Sequence, residues 1–229
     1  DVFDAFAEAA RSTVAVAVAC ACVGIVIGVS AKTGFGLNMA NAIITLGGTS
    51  LMITLIFTMV TCMILGMGLP SIPAYIITAT IAAPALSQLG IPAQAAHMFS
   101  FYFAMFANLT PPVALAAFAA AGISGGDPFK TGFAACKLAI AGFIVPYMFV
   151  YSPELMLIGT TFLRGLYVAG GAIIGVIMIG FAVEGFFLTH INMALRVLTF
   201  IGALLLIDPG PITDAAGICI LALLIVTQY

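Results

Sequence analysis

Gly66-Met67-Gly68-Leu69-Pro70-Ser71-Ile72-Pro73 interrupts one long apolar run of this chain, and Ala107-Asn108-Leu109-Thr110-Pro111-Pro112 interrupts another. No Asp, Glu, Lys or Arg occurs anywhere from Thr33 to Gly126, so neither interruption carries a charge that would draw it into water. An uncharged break in an apolar helix is typical of a helix that is interrupted within the bilayer. These two stretches therefore decide the predicted fold.

The prolines of both stretches remove backbone hydrogen bonds from identifiable carbonyls. Proline has no N–H to donate, and its ring collides with the carbonyl four residues earlier. Counting back gives the carbonyls predicted to be freed: Gly66 (by Pro70), Ala107 (by Pro111) and Asn108 (by Pro112). In hydrocarbon an unpaired carbonyl costs several kcal/mol, so it persists only where protein, water or a bound ion satisfies it. Two such clusters predict a cation site between discontinuous helices, as in secondary transporters.

Each break also carries a signal for starting the next helix. Thr110 followed by Pro111 is typical of a helix N-cap with proline at the first helical position, where the missing N–H does no harm. Ser71 is a second candidate cap, at the start of the helix after Pro70. Thr110 therefore has two predicted roles, helix cap and hydroxyl ligand, and the sequence leaves both open.

The composition identifies the class of protein. Apolar residues make up 64% of the 229 residues and charged residues only 6%, with a mean hydropathy of +1.29, which excludes a soluble domain. Apolar runs of helical length recur, which predicts an all-α integral membrane protein. The sequence contains no basic patch that would indicate nucleic-acid binding. The cysteines lack metal-ligand spacing and are predicted to act as small apolar residues: Cys20, Cys22, Cys62, Cys136 and Cys219.

The apolar runs and their interruptions predict an order of segments along the chain. The chain begins at Asp1 with no methionine and no signal peptide, which predicts a piece of a longer polypeptide. A re-entrant hairpin is favoured over two spans because each arm is near the short limit for crossing a hydrocarbon core of about 30 Å. The predicted segments are an interfacial helix (1–12), a spanning helix and linker helix (13–48), a re-entrant hairpin (49–89, tip 66–73), a broken helix (93–123, break 107–112), a spanning helix (130–151) and peripheral C-terminal helices (154–229).

The distribution of Lys and Arg weakly predicts the side of the membrane from which the hairpin enters. Lys32 and Arg164 fall on the face from which the hairpin enters, whereas Arg11, Lys130 and Arg196 fall on the opposite face, with Lys137 near them. Because cytoplasmic loops carry the excess of Lys and Arg, this bias favours entry from the extracytoplasmic side.

Several collinear motifs resemble one transporter family: Gly66-Met67-Gly68-Leu69-Pro70, Ala83-Pro84, Gly90-Ile91-Pro92, Ala96-His97, Phe101-Tyr102-Phe103 and Thr110-Pro111-Pro112-Val113-Ala114-Leu115-Ala116. They are similar to the C-terminal half of the large membrane subunit of tripartite ATP-independent periplasmic (TRAP) transporters. The fused permeases that work with TAXI-type binding proteins are the most similar branch. The resemblance runs from Asp1 to Tyr151 and is strongest between Gly66 and Lys137.

The resemblance implies half of an inverted-repeat, elevator-type secondary transporter in a bacterial or archaeal plasma (inner) membrane. A periplasmic TAXI-type binding protein would deliver an organic acid, and a sodium gradient would drive its uptake. The implied partners are the N-terminal half of the permease, a small membrane subunit, separate or fused, and the lipid bilayer. Relatives that carry C4-dicarboxylates or sialic acid often have an acidic hairpin tip, whereas this tip is neutral, so the acid itself is not identified.

The resemblance also implies which residues form the site. The family's sodium ligands in this half are a carbonyl at the hairpin tip, a carbonyl three residues before the threonine of the T-P-P motif, and that threonine. The matching positions are Gly66, Ala107 and Thr110. Many relatives have glycine at the position of Ala107, which changes nothing for a backbone ligand. The polar residues predicted to bind substrate are Ser71, Asn108 and Thr110, although Asn108 could equally cap backbone.

Other functional classes remain as alternatives. An ion channel would also use backbone carbonyls, but it would need an open pore and subunit symmetry. A structural membrane subunit is a further alternative. An intramembrane hydrolase would need an activated nucleophile, and Ser71 with His97 is the only tempting pair, without an orienting acid. We therefore expect a transporter and not an enzyme. His97 is expected to bond a neighbouring carbonyl, and Gly171 with Gly175 could seat another helix closely.

Overall fold

The computed structural model describes residues 2–48 and 50–228, apart from the side chains of residues 12, 15, 16, 19, 20, 23 and 31. Nearly all of this described chain is helical, and its extended pairing is limited to an isolated bridge between Phe186 and His190. The predicted all-α class is thereby confirmed. The helices cluster into two compact units, Asp1–Phe133 and Ala134–Tyr229.

The helices of the first unit follow one another with short connections. They are α1 (Val2–Thr33), α2 (Phe35–Gly47), α3 (Leu51–Gly66), α4 (Ser71–Gln88), α5 (Ala93–Phe106) and α6 (Leu115–Ser124). Helix α7 (Pro128–Leu138) begins in the first unit and ends in the second. The second unit continues with α8 (Ile140–Tyr151), a 3-10 turn (Pro153–Met156), α9 (Phe162–Glu184), α10 (Met193–Ile207) and α11 (Pro211–Gln228).

The N-terminal region is one helix where the sequence predicts two. The expected boundary between an interfacial helix over 1–12 and a spanning helix from residue 13 is absent, because α1 runs unbroken from Val2 to Thr33. Neither glycine nor proline lies near that boundary, and Thr13 Oγ1 donates to Ala9 O (2.8 Å) within the helix. The chain turns only at Gly34, whose φ of 67° lies in the left-handed region that glycine tolerates.

The core of the first unit lies where α5 packs against both α3 and α4. Leu55 and Cys62 from α3, Leu86 from α4, and Phe99 and Phe103 from α5 are fully buried there. The two phenylalanine rings meet edge to face with centroids 4.8 Å apart. Three helices thus pack around one apolar centre, and this packing holds the ends of α3 and α5 together.

The predicted spanning helix over 130–151 is divided. Helices α7 and α8 meet at Ala139 with a bend of 43°. Ala139 N donates to Ala135 O (2.9 Å) at the end of α7, and Ala139 O accepts from Phe143 N (3.1 Å) at the start of α8. The two helices are therefore joined through the single residue Ala139 and not through a longer loop.

The second unit has a core of its own. Gly171 and Gly175 allow α10 to pack closely against α9. A Cβ on Gly171 would lie 3.1 Å from Leu206 O, and a Cβ on Gly175 would lie 2.9 Å from Ala203 O. The close helix packing predicted for this glycine pair is confirmed. Met178 and Ile179 are fully buried beside this contact. The C-terminal helices, which the sequence predicts to be peripheral, therefore pack against one another through a shared core.

Within the described residues, α9 and α11 are long and apolar enough to cross a membrane. The bent pair α7 and α8 would make a third span if it crosses as one. Helices α2, α3, α6 and α10 are apolar but shorter.

Candidate functional site

The first break is the connection from Met67 to Pro70, between α3 and α4. Gly68 adopts a left-handed φ of 73°, and Leu69 N donates to Gly66 O (3.3 Å). The prediction that Pro70 leaves the Gly66 carbonyl unpaired is therefore wrong, because the turn at Gly68 brings the N–H of Leu69 to it. This bond is long, and a carbonyl oxygen has a second lone pair available to a ligand.

The second break runs from Ala107 to Ala114, which is longer than the predicted 107–112. It contains a cis peptide between Pro111 and Pro112 and ends at Ala114, whose φ is 35°. Ala116 N donates to Asn108 O (3.1 Å), so this carbonyl, also predicted to be unpaired, has a partner. Within the described residues no N–H or O–H donates to Ala107 O. One of the predicted carbonyls thus remains without a donor.

Thr110 lies in the middle of the second break, and its hydroxyl donates to Phe106 O (2.8 Å). The predicted role as a helix cap is wrong, because α6 begins at Leu115 and the residue at its cap position is Ala114. With its hydrogen directed to Phe106 O, Thr110 Oγ1 keeps lone pairs that can accept a donor or coordinate a cation.

Ser71 is not a cap either. It is the first residue of α4, Pro70 holds the cap position, and no side chain bonds to the helix start. Ser71 is exposed, whereas Asn108 and Thr110 are half-buried. Among the described residues no hydrogen bond joins Ser71 to Asn108 or Thr110.

The two breaks are in direct contact. A Cβ built on Gly66 would lie 2.9 Å from Ala104 O and 3.3 Å from Ala107 Cβ, so only glycine permits this approach. Gly66 and Ala107 are both buried. Asn108 Nδ2 lies 3.5 Å from Leu69 O, which is a long contact between the second break and the first. The residues predicted as sodium ligands therefore belong to neighbouring segments.

Helix α7 supports the second break from another side. Gly132 is buried, and a Cβ built on it would lie 3.0 Å from Pro111 Cγ and 3.7 Å from Ala114 Cβ. The sequence reasoning missed Gly132, because nothing in Lys130-Thr131-Gly132-Phe133 distinguishes it from the many other glycines. The start of α7 is fixed by Asp127 Oδ1, which accepts from Lys130 N (2.8 Å).

The oxygen atoms available at the two breaks are ligands that suit a small hard cation. The two breaks offer backbone carbonyls and one hydroxyl, and both segments are free of charged residues. Oxygen ligands are those preferred by alkali and alkaline-earth ions, and a neutral set suits a monovalent ion. No group of three His, Cys, Asp or Glu side chains in the described part of the chain could hold a transition metal. The neutral oxygens at the two breaks are thus of the chemical type that binds an alkali cation.

His97 has a different partner from the expected carbonyl. Its Nδ1 lies 3.0 Å from Tyr75 Oη, across the contact between α4 and α5. Tyr75 also meets Phe101 edge to face, with centroids 5.6 Å apart. No hydrogen bond between Ser71 and His97 is found in the described residues, so the structure offers no support for the hydrolase alternative.

Comparison with protein families gives a match over most of the chain. The family model described as "Tripartite ATP-independent periplasmic transporter, DctM component" matches residues 1–164. This range contains both breaks and ends just inside α9, so most of the second unit lies beyond it. No curated protein and no solved structure matches the chain.

Proposed function

This chain belongs to the DctM component family of TRAP transporters, and from that premise we propose that it forms part of a permease that imports an organic acid by sodium symport. Membership of the family makes it a component of a membrane transporter that works with a periplasmic binding protein. The finer statements are the proposal: sodium coupling, an organic acid, a binding protein of the TAXI type, and location in the inner membrane of a bacterium or archaeon.

The observation that carries the proposal is the contact between the two breaks. Gly66 lies against Ala104 and Ala107, and the Ala107 carbonyl has no donor among the described residues. Three residues further on, the Thr110 hydroxyl presents lone pairs because its hydrogen is used on Phe106 O. A buried carbonyl without a donor, such as that of Ala107, is costly in a bilayer unless a ligand satisfies it.

The proposed sodium ligands are the carbonyl oxygens of Gly66 and Ala107 and the hydroxyl oxygen of Thr110. Bound sodium would supply a positive charge that attracts these oxygens from both breaks to one point. The chain itself holds the ligands in place: α3 and α5 bring Gly66 to Ala107, and the Thr110–Phe106 bond orients the hydroxyl. Sodium binding would in this way stabilise the contact between hairpin tip and broken helix.

The proposed substrate residues are Asn108, Thr110 and Ser71. Asn108 and Thr110 are half-buried on the second break, and Ser71 opens α4. The N-termini of α4 and α6 carry the partial positive charge of unpaired N–H groups, which favours a nearby carboxylate. An organic acid could therefore be held by helix ends and neutral polar side chains, with no cationic residue required at either break.

Uptake by the intact permease, reconstituted in vesicles with its binding protein, tests the proposal. We expect uptake of a labelled organic acid to require both an inward sodium gradient and the binding protein. Replacing external sodium by choline should reduce uptake to background. Uptake that is unchanged in choline would contradict sodium symport, and ion flux without the acid or the binding protein would favour a channel.

A further inference from the structure

A groove of about 400 Å³ lies within the second unit, between the junction of α7 with α8, the end of α9 and the first turns of α10. Its lining includes Lys137, Ile140, Val183, Arg196, Val197 and Phe200. The groove lies almost wholly beyond the residues matched by the family, apart from Lys137 and Ile140. Nothing in the proposed transport site requires it, so it needs an explanation of its own.

Charged groups gather at one edge of this groove. Lys137 Nζ lies 3.0 Å from Glu184 Oε2, and both side chains are well exposed, at 49% and 61%. Arg196 donates from Nε to Ala182 O (2.8 Å) and from Nη2 to Val183 O (2.7 Å), which fixes its guanidinium at the end of α9. Lys137 and Arg196 are the charged residues among the described lining, and Glu184 is the carboxylate beside them, so this edge carries a net positive charge.

The lining changes from charged to apolar in the same direction on each helix. Ile140 lies one turn along the chain after Lys137, and Phe200 lies one turn after Arg196. On α9, which runs the opposite way, Val183 and Ala182 come just before Glu184. A 23-residue apolar helix of about 34 Å matches a hydrocarbon core, so its polar end at Glu184 belongs at the headgroup level.

We propose that this groove binds an anionic phospholipid, with the phosphate between Lys137 and Arg196 and an acyl chain along Ile140, Val197 and Phe200. Charge complementarity selects the headgroup: Arg196 keeps its Nη1 hydrogens for a ligand, and Lys137 uses one of three hydrogens on Glu184. Guanidinium and ammonium groups are the side chains that bind phosphate, and the apolar lining matches the tail. Glu184 opposes the phosphate and so weakens binding.

The test compares phosphatidylglycerol with phosphatidylcholine as ligands of the purified intact permease in detergent, by native mass spectrometry. Wild type is expected to bind phosphatidylglycerol more tightly. Lys137→Gln should weaken that binding about fivefold, the factor that corresponds to about 1 kcal/mol for one basic residue near an anionic lipid. Lys130→Gln is the matched control, because Lys130 is an exposed cation of the same helix that does not line the groove; it should change binding less than twofold.

Glu184→Gln distinguishes the site from a loss of folding. Removing this carboxylate takes away a repulsion and releases Lys137, so phosphatidylglycerol should bind severalfold more tightly, a gain that a misfolded variant cannot produce. Equal affinity of wild type for the two lipids would overturn the proposal. The same holds if Lys137→Gln and Lys130→Gln behave alike, or if Glu184→Gln binds no better than wild type. None of these outcomes depends on sodium or on transport.

Discussion

The first and second helix breaks are both uncharged proline interruptions, but they treat the released carbonyls differently. The first is short, and its left-handed Gly68 brings Leu69 N back to Gly66 O. The second is longer, pairs Asn108 O with Ala116 N, and leaves Ala107 O without a donor among the described residues. A proline therefore determines which N–H is missing, whereas the local turn determines whether another N–H replaces it.

Because of this difference, we propose that the two breaks have different roles in the site. The first break contributes a close approach, because Gly66 has no side chain to hold Ala104 and Ala107 away. The second contributes the less satisfied oxygens, the Ala107 carbonyl and the Thr110 hydroxyl. If this division is correct, substitutions at the two breaks should have different consequences.

Separating the two breaks should have the largest effect. Gly66→Val places a branched side chain where even a Cβ would lie 2.9 Å from Ala104 O, and overpacking of this kind costs about 1–3 kcal/mol. We expect uptake to fall about tenfold or more at equal expression. Gly122→Val is the control, since a Cβ on this helical glycine meets nothing within 4 Å. Equal loss in both variants would contradict a specific contact at Gly66.

Removing the polar link between the breaks should have the next largest effect. Asn108→Ala deletes the amide that lies 3.5 Å from Leu69 O and that we propose to contact substrate. We expect KM for the organic acid to rise about fivefold, as for one hydrogen bond of about 1 kcal/mol, while the sodium dependence changes little. Asn41→Ala, an exposed asparagine of α2, is the control. An unchanged KM would remove Asn108 from the substrate site.

Disturbing only the second break should have a moderate effect. In Gly132→Ala the new Cβ would lie 3.0 Å from Pro111 Cγ, so the ring next to Thr110 must move by a few tenths of an ångström. Close-packed interiors transmit such a displacement to their neighbours. We expect the sodium concentration for half-maximal uptake to rise about threefold, with Gly122→Ala as the matched control. The expectation fails if the two variants have the same sodium dependence.

A change at the contact between α4 and α5 should have the smallest effect. Tyr75→Phe removes the hydrogen bond to His97 Nδ1 but keeps the ring that packs on Phe101. The free energy of unfolding should fall by about 0.5–1 kcal/mol, and less at this exposed site if water replaces the bond. Thermal unfolding in detergent measures this loss. A shift in sodium dependence as large as that of Gly132→Ala would show that the breaks are not the sensitive region.

Sequence reasoning identified the positions of the breaks because proline and uncharged polarity act locally. It did not predict the partners of Gly66 O and Asn108 O, because these depend on how the chain turns at Gly68 and Ala114. The restart of α6 was placed too early for the same reason. A left-handed alanine such as Ala114 has no signature in a single sequence.

Contacts between residues far apart in the sequence were also not predictable from the sequence. Neither the approach of Gly132 to Pro111 nor the partnership of Tyr75 with His97 is encoded by spacing along one helix. By contrast, Gly171 and Gly175 lie on one helix face, and their close packing was predictable from their spacing. The core shared by α9, α10 and α11 is not predictable from the sequence, because these apolar segments carry no motif that distinguishes a core from a lipid-facing surface.

The most direct test of the central claim is a calorimetric titration of the purified intact permease with sodium chloride, using choline chloride at equal ionic strength as the blank. We predict saturable sodium binding in wild type and in Thr110→Ser, which keeps the hydroxyl. Thr110→Val should bind sodium about tenfold more weakly, because one ligand oxygen is lost while the backbone bonds to Phe106 O remain. Equal sodium affinity in wild type and Thr110→Val would contradict a cation site built from the second break.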